Sequence, residues 1–230
     1  MLKIEIADLT VAVDNKYPYI EALAQPYLTD KEPNFTVSAS DAEIEHEQKK
    51  LSVSDGYAES VAVYSKIADE LYRYDAFLIH AVAIEMDSIV YLIAAKSGTG
   101  KTTHARLWLQ AFGERASVLN GDKPIIRKIG GEFYAAATPW RGKERQGGVG
   151  MRKIGGVAIL ERATQNSADL LDSKSAAQEL IGQLYMPKNI AAISAELALA
   201  DELIRSVKTV KIKANMDVSA AHVAYNSMRS

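Results

Sequence analysis

The sequence predicts an α/β fold with a mixed sheet over residues 76–230, preceded by a small α+β region over residues 1–75. Three observations predict it. From residue 76 onward, strand-like apolar runs alternate with segments whose apolar positions recur at helical spacing. One run, ending at Ala95, is apolar enough to read as a strand buried on both faces. A glycine loop and then a helical segment follow it directly, which is the order a phosphate cradle requires.

The composition fits a globular chain and narrows its chemistry. At 230 residues, 48% hydrophobic and 24% charged, the chain forms a large domain, or one domain with an appendage, and not a disordered segment. With 27 Lys+Arg against 29 Asp+Glu the net charge is −2, so nucleic acid and anionic membranes are not expected as main partners. The absence of cysteine removes disulfides, thiolate metal sites, Fe–S clusters and cysteine nucleophiles. His46, His80, His104 and His222 are scattered singly, which gives a structural metal little support. Met1–Val13 has no cationic leader before an apolar block, and the apolar runs fall far short of the roughly 20 residues that span a bilayer. The expectation is a cytoplasmic protein.

Ile4, Ile6, Leu9, Val11 and Val13 predict one or two N-terminal strands and Phe35–Ala39 another, with prolines 18, 26 and 33 punctuating the stretch between. Asp41–Lys50 is charge-rich, and Val61, Tyr64, Ile67, Ala68 and Leu71 place a helix over Ala58–Tyr72. Phe77–Met86 and Ser88–Ala95 read as a hairpin turning at Asp87. A helix runs from His104 to Phe112 and stops at Gly113, and a short strand, Ala116–Leu119, ends at Asn120-Gly121-Asp122. A hairpin around Gly130-Gly131 joins Ile125–Lys128 to Glu132–Ala136, and Thr138–Gly150 reads as a mobile, basic, glycine-rich loop. A strand over Ile154–Leu160, helices over Lys174–Met186 and Ile190–Val207, a strand over Thr209–Lys213 and a helix over Val218–Met228 complete the chain.

Gly100-Lys101-Thr102 is the closing half of the pattern G-x-x-x-x-G-K-[ST], with Ala95 in place of the opening glycine. In that pattern backbone N–H groups face phosphate oxygens, the lysine reaches the β and γ phosphates, and the hydroxyl holds Mg²⁺. Ser97, Gly98, Thr99, Gly100, Lys101, Thr102 and Thr103 are the candidate nucleotide-binding residues.

This segment resembles the phosphate loop shared by HPr kinase/phosphorylase and the ATP-type phosphoenolpyruvate carboxykinases. HPr kinases carry a catalytic histidine, in a His-Gly pair, on the preceding strand; here the pair is His80-Ala81, 21 residues before Lys101. Thr138–Glu144 is similar to the Thr-Pro-Trp-x-Gly-Lys-Glu segment of short bacterial HPr-kinase-like proteins. The resemblance covers about Phe77 to Leu160 and leaves the first 75 residues without a relative. It implies a P-loop kinase domain over residues 76–230, with ATP and Mg²⁺ as cofactors and a hydroxyl of a small molecule or protein as acceptor. Homo-oligomerisation stays open.

A hydroxyl acceptor needs its proton removed, and Mg²⁺ needs a carboxylate beside the loop hydroxyl. Asp122 is the candidate for both, with Thr102 as the second metal ligand. HPr-kinase relatives have two consecutive aspartates here, and this chain has Gly121-Asp122. Three readings stand: Asp122 does both jobs, His80 takes over proton handling, or transfer is slow or absent. If the missing carboxylate limits catalysis, Gly121→Asp raises turnover or metal affinity. Arg141, Lys143 and Arg145 form a compact basic loop suited to phosphates or a small anionic acceptor, with Arg141 and Arg145 as catalytic candidates beside His80, Asp122 and Lys101. Arg127 is a further cation candidate, and Trp140 is either a packing anchor or a base-stacking residue. The rival readings are a carboxykinase-like transferase on a small carboxylate and a nucleotide-sensing or partner-binding module.

Overall fold

The computed structural model describes residues 1–229. Its N-terminal strands, β1 (Leu2–Ile6) and β2 (Leu9–Asp14), form an antiparallel hairpin, and β3 (Phe35–Ser38) joins β2 in parallel. The proline-punctuated stretch between them holds a short helix, α1 (Tyr19–Ala24). The charge-rich segment is itself a helix, α2 (Asp41–Leu51), opened by a capping box in which the Ser40 hydroxyl accepts from the Glu43 amide and Glu43 accepts from the Ser40 amide. That Ser-x-x-Glu signal stands in the sequence. The expected helix is α3 (Asp55–Leu71), burying Val63, Ile67 and Leu71.

The expected strand over Phe77–Met86 is broken. β4 (Ala76–Leu78) pairs with β8 (Ile125–Ile129), whereas β5 (Ala81–Met86) pairs with β6 (Ile89–Ala94) and β7 (Ala116–Asn120). Between them the backbone is claimed from elsewhere: the His80 amide donates to the Gln183 carbonyl at 2.8 Å and the Ala81 amide to the Asp122 carbonyl at 3.1 Å. His80 therefore sits where the chain crosses from one part of the sheet to another.

The remaining elements are α4 (Lys101–Phe112), β9 (Glu132–Ala136), β10 (Met151–Arg162), β11 (Ser167–Leu170), α5 (Ser173–Leu180), α6 (Ile190–Ser206), β12 (Lys208–Ala214) and α7 (Ser219–Met228). The helix expected over Lys174–Met186 ends early, because the Tyr185 amide donates to the Leu78 carbonyl and Leu184 bridges Ile79. The large sheet runs β4-β8-β9-β10-β6-β5-β7, with β12 beside β10 and β11 beside β12. It is mixed: β10 is parallel to β6 and β12 and antiparallel to β9. A register irregularity between Ile154 and Gly156 lets this long strand pair with β9 at its start and β12 at its end.

Both faces of β5 and β6 are covered, as the apolar run predicts. Val82, Ile84, Tyr91 and Ile93 pack with Trp108 of α4 and Ala221 of α7. Ala81, Ala83, Val90 and Leu92 face the other way, into a cluster that also holds Ile4, Val11, Val63 and Leu203. This second cluster draws residues from both sides of residue 75, so burial of β1, β2 and α3 fixes them against the sheet. Among the described residues no helix is long and apolar enough to cross a membrane.

Candidate active site

The ends of β6, β7 and β10 and the start of β5 meet at one edge of the sheet, where ligands bind in open α/β folds. Beyond β6 the chain turns through Gly98 (φ +78°) and Gly100 (φ +116°), backbone conformations that disfavour any side chain. Gly100 starts α4 without a side-chain cap, so the first-turn amides have no acceptor within the helix or from a capping side chain. Ala95 stands where the pattern has its opening glycine; its side chain is buried against the α4 and α7 face and its carbonyl accepts from Lys101 Nζ at 2.8 Å. Burial pushes the Lys101 ammonium below its ordinary range, and Asp122 opposes this.

Arg162, at the end of β10, donates from Nε to the Thr99 carbonyl at 2.8 Å and from Nη2 to the Gly98 carbonyl. In a trans peptide C=O and N–H point oppositely, so the Gly100 amide is turned away from Arg162. No sequence signal singles this arginine out.

Asp122 is fixed from behind. Asn120, fully buried, accepts through Oδ1 from the amides of Asp122 (3.0 Å) and Lys123 (2.7 Å) and donates from Nδ2 to the Thr138 hydroxyl (3.0 Å). Thr138 in turn donates its hydroxyl hydrogen to the Lys123 carbonyl at 2.9 Å. In front, Asp122 Oδ1 lies 3.1 Å from His80 Nε2 and Oδ2 accepts from Lys123 Nζ at 2.7 Å. Burial alone would push the Asp122 carboxyl up, but the His80 hydrogen bond and the Lys123 charge outweigh it and hold the group at about 2. Lys123 was missed from the sequence, although Asp122-Lys123 adjacency was its signal.

The segment expected as a mobile loop is anchored at several points. Trp140 is a packing anchor: its ring lies 4.9 Å from that of Tyr64, and Nε1 donates to the Ser60 hydroxyl at 3.0 Å. The Gly121 amide donates to the Gln146 carbonyl and the Gly148 amide to the Leu119 carbonyl, so the loop returns along the end of β7. A Cβ at Gly121 would lie 2.8 Å from the Arg141 carbonyl and 3.0 Å from that of Gln146. An aspartate at this position therefore requires the loop backbone to shift.

Arg141, Lys143 and Arg145 all line the cleft that holds Lys101 and Asp122, but they differ in how they are anchored. Arg141 donates from Nη2 to the Tyr27 hydroxyl and the Gly148 carbonyl, both at 3.2 Å, and its guanidinium lies over the Tyr27 ring. Arg145 is exposed with no polar side-chain partner among the described residues. Glu144 pairs with Arg106 of α4, and Arg127 is turned to the Ala7 carbonyl of the N-terminal hairpin. His104 is buried, and burial pushes it down to about 4, so it packs as neutral imidazole near pH 7. His46 and His222 are exposed.

His80, Ser97, Gly98, Lys101, Thr102, Asp122, Lys123 and Arg145 line one open cleft of about 1850 Å³, whose wall also includes Tyr57, Tyr64 and Lys66 of α3 and Tyr185. Single-ligand pockets run to about 1,000 Å³, so this cleft has room for a nucleotide and an acceptor. Among the described residues no cluster of three His, Asp or Glu forms a protein cage for a metal. Thr102 with the ionised Asp122 fits instead the sparse oxygen set by which Mg²⁺ is held beside substrate phosphates.

No family model and no curated protein matches the chain. Among solved structures it is similar to the Hpr(Ser) kinase/phosphatase from Coxiella burnetii, at 11% identity and a TM-score of 0.30 over 56% of this chain and 88% of that one. A likeness that distant carries no mechanistic weight, and the chemistry stands on the residues of the cleft.

Proposed function

We propose that the cleft binds a nucleoside triphosphate, ATP in the simplest case, and transfers its terminal phosphoryl group to a hydroxyl of a small-molecule or protein acceptor. One observation carries this reading: the uncapped start of α4, with Lys101 beneath it, opens into the same cleft as the Asp122–His80 pair. The amides of Gly100 to Thr103 and the Lys101 ammonium bind the phosphates, Lys101 exchanging the Ala95 carbonyl for phosphate oxygens. Thr102 and Asp122 would hold Mg²⁺, which would supply neutralisation of the charge on the phosphates. Asp122 accepts a hydrogen bond from the acceptor hydroxyl and aligns its oxygen with the terminal phosphorus. The new P–O bond forms as the bond to the bridging oxygen breaks, and the hydroxyl proton passes to Asp122, whose Oδ1 is oriented by His80 Nε2 3.1 Å away.

The first test is thermal. Ligand at a hundredfold excess over its Kd stabilises by about 2.7 kcal/mol, which raises Tm by roughly 5–10 °C in a domain this size. Mg-ATP and Mg-ADP are expected to do so in the wild type and not in Lys101→Ala. No shift at millimolar nucleotide, or an equal shift in Lys101→Ala, sinks the reading.

A further inference from the structure

We propose that Lys123 is a second cation for the transferring phosphoryl group, held in reserve on Asp122 and released from it when a divalent cation binds there. This rests on the phosphoryl-transfer reading. Lys123 is a built position and not a chance surface lysine: its amide donates to the buried Asn120 side chain at 2.7 Å and its carbonyl accepts from the buried Thr138 hydroxyl at 2.9 Å. Both backbone polar groups being fixed, only the side chain is free to move, and its ammonium lies in the open cleft.

At rest that ammonium is 2.7 Å from Asp122 Oδ2, while His80 takes Oδ1, so both carboxylate oxygens have partners. A divalent cation on Asp122 would face the ammonium at nearly contact distance, and like-charge repulsion drives Lys123 off. The flexible four-carbon stem then decides where the charge goes. On one side lies the Tyr64 ring, with its centroid 5.8 Å away. Lys101 lines the same cleft. A phosphoryl group bound in that cleft is the anion that both lysines can share. Lys123 thus fills the part that a mobile arginine plays in other phosphoryl transferases, while Arg141 stays committed to Tyr27 and Gly148.

The test uses two readouts on the full chain. Binding of Mn²⁺ alone, followed by electron paramagnetic resonance, is expected to be several-fold tighter in Lys123→Met than in the wild type, because the competing ammonium is gone. Phosphoryl transfer from labelled ATP is expected to fall about 10²-fold in Lys123→Met, with part of the rate restored in Lys123→Arg. Lys123→Met keeps both backbone hydrogen bonds and should melt near the wild type; Lys123→Gln carries the same expectations should it not. Unchanged Mn²⁺ affinity overturns the reserve pairing, and unchanged transfer overturns the phosphoryl role. A wild type that neither binds nor hydrolyses nucleotide overturns the proposed function as well, and the thermal-shift experiment identifies that case separately.

Discussion

Asn120 and Thr138, both fully buried and 18 residues apart, hold each other through a 3.0 Å hydrogen bond and between them grip the backbone on either side of Asp122. Removing one partner of such a pair leaves the other unsatisfied at a cost of about 1–3 kcal/mol. Thr138→Val is therefore expected to lower Tm by several degrees and to slow transfer more than it weakens nucleotide binding. Equal losses in kcat and nucleotide affinity would mean that the network supports the fold without positioning Asp122.

Gly121 is a point of close approach. Gly121→Ala must displace the Arg141 and Gln146 carbonyls, at a cost of about 1–3 kcal/mol for an overpacked site. Gly121→Asp is expected to destabilise at least as much, with no gain in turnover or Mn²⁺ affinity. A more active Gly121→Asp enzyme of wild-type stability would restore the missing-carboxylate explanation.

Asp122→Asn removes the charge that faces His80 and Lys123 and keeps the shape. Transfer is expected to fall by about 10² to 10⁴, the range for a positioned acid or base, while Mg-ADP still raises Tm. Full activity in this variant excludes the mechanism proposed above.

The two arginines of the basic loop should behave differently. Arg141→Ala loses its bonds to Tyr27 and Gly148 and the ring beneath it, so a stability loss of about 1–2 kcal/mol is expected. Arg145→Ala breaks no recorded contact and is expected to leave Tm unchanged while raising the acceptor KM. If Arg145→Ala leaves acceptor kinetics untouched, Arg145 has no substrate role.

Glu196 of α6 is buried, its Oε1 has no hydrogen-bond partner, and burial pushes its carboxyl up to about 8. The folded state therefore favours the protonated acid. The stability this group contributes is full below the ordinary glutamate range and is lost as pH rises through about 8, with a slope near 1.4 kcal/mol per pH unit in between. Glu196→Gln should lack that slope. Urea midpoints of the two proteins at pH 5 and pH 8.5 check it: a constant difference between them would show that Glu196 titrates normally.

The sequence alone determined the local elements with strong periodic or turn signals: the buried β6 run, the glycine turn into α4, the Gly130-Gly131 hairpin and the amphipathic α3 and α6. It also marked Lys101 and Thr102 as candidates through the phosphate-loop pattern, and His80 and Asp122 through the resemblance to HPr kinases that this pattern opens. What it could not determine was set by contacts between distant segments. The break at His80 arises because Gln183, more than a hundred residues away, claims its amide. The fate of Arg141 was decided by Tyr27 and that of Trp140 by Ser60, both in the N-terminal region, and the reason for Gly121 by carbonyls in a loop some 20 residues later. Lys123 looked like an ordinary charged residue until the buried Asn120 and Thr138 fixed its backbone beside Asp122. A side chain's partner depends on which remote backbone packs against it, and only tertiary structure supplies that neighbour.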